Sequence, residues 1–154
     1  MSLVVDASVV IKWFVEEVRS DAARAVLDSG EPLIAPDLVV PEVCNVAWKK
    51  VRRGELSQEH GAAVARALPM SFDRLIATAE LVPRAFSLGH RFDHPLYDCF
   101  YIALAEVESA TLVTDDGPGA TPSASVVCHT LGVSILAVNP PCRGGMVAWP
   151  KKQS

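Results

Sequence analysis

The sequence lacks the features that would place the chain in a membrane or build a zinc site from paired cysteines. No apolar run approaches the about 18 residues that span a bilayer. No basic segment precedes an apolar stretch at the N-terminus, so we expect no signal peptide and a cytoplasmic protein. No C-x-x-C pair occurs among the four cysteines, which are Cys44, Cys99, Cys128 and Cys142. We interpret Cys44 and Cys99, which lie in apolar helical segments, as small core residues.

The chain also lacks an excess of basic residues. It carries 14 Lys and Arg against 18 Asp and Glu, and its formal net charge is −4. This balance argues against a broadly basic surface for nucleic acid. It does not exclude a nuclease, because clustered acidic ligands make the count negative and bound divalent cations then change the local charge.

What is present is a chain of 154 residues, half of them hydrophobic, which suits one globular domain. Short apolar runs predict strands at 3–5, 33–35, 70–72, 111–114 and 133–138. Helices are predicted between them, at 8–15, 20–27, 41–53, 57–67, 79–89, 95–105 and 123–131. This alternation predicts a three-layer α/β/α fold around a central, mainly parallel sheet. We expect the domain to span residues 1–139 and residues 140–154, rich in Pro and Gly, to form a peripheral C-terminal tail.

Four acidic residues lie where predicted strands end or predicted helices begin. Asp6 and Asp116 follow strands, whereas Glu42 and Asp98 lie in the first turns of helices. Strand carboxyl ends and helix amino ends share one edge of such a sheet, so all four are expected to meet there. Plainer interpretations stay open, since Asp is a common turn residue and acids favour helix amino ends. Asp115 is the weaker candidate beside Asp116, which fits the strand-to-loop turn better.

Asp98 is the strongest candidate, because its neighbours are nearly all apolar and a helix hydrophobic all round is expected to be buried. A buried carboxylate is costly unless it is paired or bound to a metal, and no Lys or Arg lies at helical spacing from Asp98. Clustered acids repel one another, and oxygen-only ligation suits Mg²⁺ or Mn²⁺. Such a site can activate water and stabilise the leaving oxygen in phosphodiester cleavage.

Three basic side chains lie close enough in sequence to these acids to contact phosphates. Lys49 and Arg52 share a polar helical stripe with Glu42, and Lys12 lies one turn past Ser8. Solvated surface charges are an equally good interpretation for each of them. Ser8 itself is predicted to cap the first helix.

Four segments, taken in order, resemble the PIN-domain ribonucleases, and most closely the VapC-like toxins of toxin–antitoxin modules. They are V-V-D-A-S-V-V-I-K-W-F at the start, P-E-V-C-N-V at Pro41, P-L-Y-D-C-F-Y-I-A-L-A at Pro95 and L-V-T-D-D at Leu112. The third segment is the most specific, and the match extends to about Asn139. One departure is the Gly117-Pro118-Gly119-Ala120 segment after the last acid, where such sequences continue with a basic or polar residue and a helix.

The resemblance implies a function for the chain and roles for particular residues. It implies an RNA endonuclease in which Asp6, Glu42, Asp98 and Asp116 are catalytic. Asp6, Asp98 and Asp116 would hold Mg²⁺ or Mn²⁺, and Ser8 and Thr114 match the hydroxyl positions that orient the metal or its water. It also implies a homodimer that is held inactive by a small antitoxin protein.

Three other functions are weighed against this one. A haloacid-dehalogenase phosphotransferase would use Asp6 as nucleophile, but it needs a second Asp where this chain has Ser8. A receiver-type phosphoacceptor domain needs an early acidic pair and a late strand-end Lys, and neither is visible. A PIN-like scaffold that binds RNA or a protein without cutting is the alternative that remains.

Overall fold

The computed structural model describes residues 1–115 and 124–138, with side chains from residue 126 in the second range. Its five strands are β1 (Leu3–Val5), β2 (Leu33–Pro36), β3 (Arg74–Ile76), β4 (Thr111–Thr114) and β5 (Ile135–Ala137). Its seven helices are α1 (Ala7–Phe14), α2 (Ser20–Leu27), α3 (Val39–Arg52), α4 (Gln58–Ala67), α5 (Thr78–Phe92), α6 (Leu96–Val107) and α7 (Ala124–Leu131). Asp116 and the predicted tail at 140–154 lie outside the described residues.

The five strands form one parallel sheet in the order β3-β2-β1-β4-β5. β1 lies at its centre, with Val4 opposite Ile34 of β2 and Leu112 of β4. The sheet with its flanking helices confirms the predicted three-layer α/β/α fold. Because β1 and β4 are neighbours, the residues that follow them begin at the same edge, and the Asp6 N–H donates to the Val113 carbonyl at 2.9 Å.

The helix that carries Asp98 packs against the centre of the sheet. α6 contacts β1, β2 and β4, and every residue from 99 to 105 is buried. This agrees with the prediction of a helix hydrophobic all round. No helix in the described ranges is long and apolar enough to cross a bilayer.

The structure corrects the prediction of the third strand. Residues 70–72 are not a strand, because Leu68–Ser71 forms a 3-10 turn with Pro69 as its second residue, and Met70 is 80% exposed. The third strand is instead Arg74–Ile76. Pro83 lies in the interior of α5, which begins at Thr78.

Candidate active site at the carboxyl edge of the sheet

Asp6 is held by two hydroxyl groups at the end of β1. It occupies the N-cap position of α1 in an extended conformation, but its side chain makes no capping bond. Its Oδ2 instead accepts hydrogen bonds from Ser8 Oγ at 3.1 Å and Thr114 Oγ1 at 2.9 Å. The prediction that Ser8 caps the helix is therefore wrong, because Ser8 lies inside α1 and donates to Asp6. Two donors on one carboxylate oxygen fix its orientation.

Glu42 lies in the first turn of α3 and is half-buried beside Tyr101. Burial raises the pKa of Glu42 to about 7, the charges of Asp6 and Asp98 add to this rise, and the Tyr101 hydroxyl opposes it. Among the described residues, Glu42 Oε1 and the Tyr101 hydroxyl make no hydrogen bond with proper geometry, although both atoms are buried. A buried carboxylate oxygen without a hydrogen bond is energetically unfavourable unless another group or a cation contacts it.

Asp98 lies in the first turn of α6, and its side chain is 40% exposed, so the expectation of a buried carboxylate is wrong. The first turn of α6 lies at the open edge of the sheet, whereas residues 99–105 are all buried. His94 packs against it, with Nε2 3.3 Å from Asp98 Oδ2 and a side chain only 2% exposed. The search for a Lys or Arg at helical spacing missed this histidine, although it lies four residues before Asp98.

Tyr101 shows that the three carboxylates converge. Burial strongly raises the pKa of its hydroxyl, and the charges of Glu42, Asp6 and Asp98 raise it further. We call Asp6, Glu42 and Asp98 the carboxylate cluster. Within the described part of the chain, no three His, Cys, Asp or Glu residues stand close enough together to form a metal-binding group. The cluster nevertheless offers only oxygen donors, which fit a hard divalent cation.

Asp115 belongs to a different arrangement beside the cluster. Its carboxylate accepts from Arg19 Nε at 2.6 Å and Nη2 at 2.8 Å, and Lys12 Nζ lies 3.4 Å away. Lys12 also donates to Glu17 at 3.0 Å, and Lys50 of α3 pairs with the same carboxylate at 2.5 Å. We call these five residues the ion-pair network. Lys12 is therefore buried and already paired, and it is not a solvated surface lysine.

The other two predicted phosphate contacts lie on the exposed face of α3. Lys49 and Arg52 are exposed, and the Arg52 guanidinium lies 5.4 Å from the centre of the Trp48 ring. Trp48 is itself 56% exposed. These side chains are accessible to a ligand, but their role remains a prediction.

Comparison with known proteins assigns this arrangement to a family. Residues 3–117 match the PIN domain, a range that includes all four predicted acids. The chain belongs to the PIN domain family. Ribonuclease VapC3 of Pyrobaculum aerophilum is 36% identical to it over 118 residues, which cover 75% of this chain and 90% of that protein. The resemblance to VapC-like PIN domains is thereby confirmed.

Within this PIN domain, the structure brings together Asp6, Glu42 and Asp98 from β1, α3 and α6. It places Ser8 and Thr114 on Asp6, whereas Asp116 falls outside the described residues. Three further residues contact the predicted site residues but were not predicted from the sequence: His94, Tyr101 and Arg19. The spacing of four residues to Asp98 could have indicated His94, but nothing local to Arg19 indicates a partner 96 residues away.

Proposed function

We propose that this chain is a Mg²⁺- or Mn²⁺-dependent endoribonuclease and the toxin component of a type II toxin–antitoxin system. The observation that carries the proposal is the carboxylate cluster, in which burial and neighbouring charge raise the pKa of Glu42 to about 7. Acids crowded in this way need a positive partner, and perturbed acids of this kind are typical of catalytic sites. The similarity to a protein named ribonuclease VapC3 supports RNA as the substrate.

Asp6, Asp98 and Asp116 are the residues proposed to hold the cation, with Glu42 beside them. Carboxylate oxygens are the ligands that Mg²⁺ and Mn²⁺ prefer, and the buried Glu42 Oε1 lacks a hydrogen-bond partner among the described residues. When bound, such a cation activates water and stabilises a leaving oxygen. The charge of the cation would also offset the repulsion among the acids.

The chain's own side chains then have separate roles in cleavage. Ser8 and Thr114 orient Asp6 by donating to its Oδ2. Glu42, with a pKa near neutrality, is the proposed acceptor of a proton from the attacking water. Lys49 and Arg52 are proposed to contact RNA phosphates from the exposed face of α3. Lys12 is proposed as a weaker contact, because its ammonium is shared by Glu17 and Asp115.

The biological setting is proposed from the VapC-like resemblance. It comprises a cognate antitoxin protein, a homodimeric enzyme and a cytoplasmic location. Residues 1–139 would be the nuclease domain and residues 140–154 a peripheral tail. Co-expression with the product of an adjacent short reading frame tests the antitoxin, since relief of growth inhibition is expected.

The alternative is a PIN-like scaffold that binds RNA or a protein without cutting. One observation favours it: no described group of three acids, histidines or cysteines is tight enough for a metal. Calorimetric titration with Mn²⁺ separates the two functions. The nuclease should bind Mn²⁺ with an affinity that depends on Asp6 and Asp98, whereas the scaffold should not.

The decisive experiment on the nuclease is Asp98→Asn. This change removes a charge but keeps the side-chain shape, and the 40% exposure of Asp98 makes loss of the fold unexpected. RNA cleavage in Mn²⁺ and growth inhibition on expression should both be abolished. Retained metal-dependent cleavage would overturn the assignment.

A further inference from the structure

A continuous series of hydrogen bonds joins Arg19 to the Asp6 carboxylate. Arg19 donates two short hydrogen bonds, of 2.6 and 2.8 Å, to the Asp115 carboxylate. The Asp115 main-chain N–H donates to Ser8 Oγ at 3.1 Å, and Ser8 Oγ donates to Asp6 Oδ2 at 3.1 Å. The Ser8 hydroxyl has a single proton. Because its oxygen accepts the hydrogen bond from the Asp115 N–H, the hydroxyl proton is directed towards Asp6.

The Asp115 carboxylate is a structural anchor in this series. Its side chain is only 7% exposed, and both of its oxygens are engaged by Arg19, with Lys12 as a second cation at 3.4 Å. A planar guanidinium that binds a carboxylate through two bonds fixes orientation better than a single charge does. Arg19 therefore holds the side chain of Asp115, while the main-chain N–H of Asp115 bonds to Ser8.

The loop that presents Arg19 is itself braced. Arg19 has a φ of 69°, a left-handed conformation that is unfavourable for a residue with a side chain. Ser20 Oγ accepts from the Glu17 N–H at 2.8 Å and donates to the Val15 carbonyl at 3.2 Å, which closes the loop. The Glu17 carboxylate is tied to Lys12 and Lys50. Strain of this kind persists where surrounding contacts determine the conformation.

We propose that Arg19 is a positioning residue for the active site, which orients the Asp6 carboxylate through Asp115 and Ser8. The proposal rests on the proposed nuclease function for its effect on cleavage, but not for its effect on Asp6 itself. Arg19 touches neither the carboxylate cluster nor, in this role, the RNA. Its contribution is to keep the Ser8 hydroxyl directed at Asp6 Oδ2.

The test compares Arg19→Gln with Arg84→Gln. Arg84 is a matched control, because it makes the same two-bond contact with Glu106, at 2.6 and 2.6 Å, between α5 and α6. The Arg19→Gln substitution leaves the left-handed backbone cost unchanged, and Lys12 remains as a cation beside Asp115. If Arg19→Gln does not fold, Arg19→Lys is used in its place, because it keeps the positive charge but loses the two-bond geometry.

Two readouts need no activity. In metal-free protein, Arg19→Gln should speed hydrogen exchange of the Asp115 amide and shift the carboxyl carbon resonance of Asp6, whereas Arg84→Gln should change neither. An unchanged Asp115 amide and Asp6 resonance in folded Arg19→Gln would overturn the proposal. These readouts decide the question even if the wild-type protein cuts no RNA, a result that would defeat only the nuclease function.

The kinetic readout tests the route through Ser8. Arg19→Gln should lower kcat about tenfold with little change in KM, since small displacements of a catalytic group have effects of this size or larger. In a Ser8→Ala background the same substitution should have almost no further effect, because the intermediate hydroxyl is gone. Independent, multiplying losses would show that Arg19 acts by another route, and an equal loss in Arg84→Gln would show a general stability effect.

Discussion

Two groups of acids lie side by side in this PIN domain, and they differ in how their charges are paired. In the ion-pair network, Lys12, Arg19 and Lys50 surround the carboxylates of Glu17 and Asp115. In the carboxylate cluster, burial and the charges of Asp6 and Asp98 raise the pKa of Glu42. Glu42 forms no ion pair with any described residue. The Asp115 N–H and the Ser8 hydroxyl link the two groups.

The pKa values show what this difference means. Burial alone would raise the pKa of Glu17, but hydrogen bonds from Lys50 and Lys12 outweigh it, and the pKa is lowered. The pKa of Glu42 is raised to about 7 by burial and by Asp6 and Asp98. The fold thus favours the ionised form of Glu17 and opposes ionisation of Glu42. The cluster is therefore the proposed site of the chemistry, whereas the network pairs its own charges.

The largest expected difference between the groups is in RNA cleavage. Asp6→Asn should lower the single-turnover rate about 10³-fold, the scale seen when one group of a preorganised site is removed. Asp115→Asn should retain much more activity, because it disturbs Asp6 only through Ser8. Measuring both with one RNA in Mn²⁺ checks the comparison. Equal losses from the two changes would erase the distinction between cluster and network.

The next effect is on stability, and it runs in the opposite order. Asp115→Asn weakens the two-bond contact with Arg19, whose side chain is 33% exposed, and should lower the free energy of unfolding by about 2 kcal/mol, the scale of hydrogen bonds to charged groups. Asp6→Asn is the matched control, and it should be neutral or stabilising in metal-free buffer because it removes a repelling charge. Denaturant unfolding of both variants in chelator measures this. A stable Asp115→Asn protein would indicate that the network is dispensable.

A smaller effect concerns pH. A carboxyl whose pKa is raised by folding favours the folded state at low pH, and this contribution is lost as pH rises through about 7. Metal-free Glu42→Gln should therefore have a higher Tm than wild type at alkaline pH, and the advantage should shrink towards acidic pH. Glu17→Gln should behave oppositely, because a lowered pKa stabilises the fold above the unfolded value and that contribution is lost on acidification. Identical pH profiles would contradict the comparison.

Much of the cluster could be predicted from the sequence, because its placement follows from topology. Continuous apolar runs alternating with helices indicate a parallel sheet, and Asp6 and Asp98 stand where such a sheet presents side chains at its edge. The same reasoning failed at 70–72, where a 3-10 turn that contains Pro69 uses apolar residues without building a strand. It also failed for the burial of Asp98, because helix-wide hydrophobicity does not describe the first turn at an open edge.

The network could not be predicted, because its bonds join residues that are distant in the chain. Arg19 and Asp115 are separated by 96 positions, and Ser8 and Asp115 by 107. Lys12 lies in an apolar helix, where only tertiary packing decides whether its ammonium reaches water or an acid. Local patterns therefore indicate which residues reach the edge but not how the charges there are paired.

The smallest effect separates a network acid from its exposed neighbour in the chain. Glu16 pairs with Arg24 at 2.7 Å, but its side chain is 75% exposed, and Arg24 also lies 3.8 Å from Asp21. Exposed pairs contribute little, so Glu16→Gln should change the free energy of unfolding by less than about 0.5 kcal/mol, and high salt should remove even that. Glu17→Gln, one residue along, should cost more and keep most of its cost in high salt, since Lys12 and Lys50 are buried or half-buried. Denaturant unfolding of the two variants at low and high salt tests this. If the Glu17→Gln effect is as small and as salt-sensitive as that of Glu16→Gln, the charges of the network are screened by solvent.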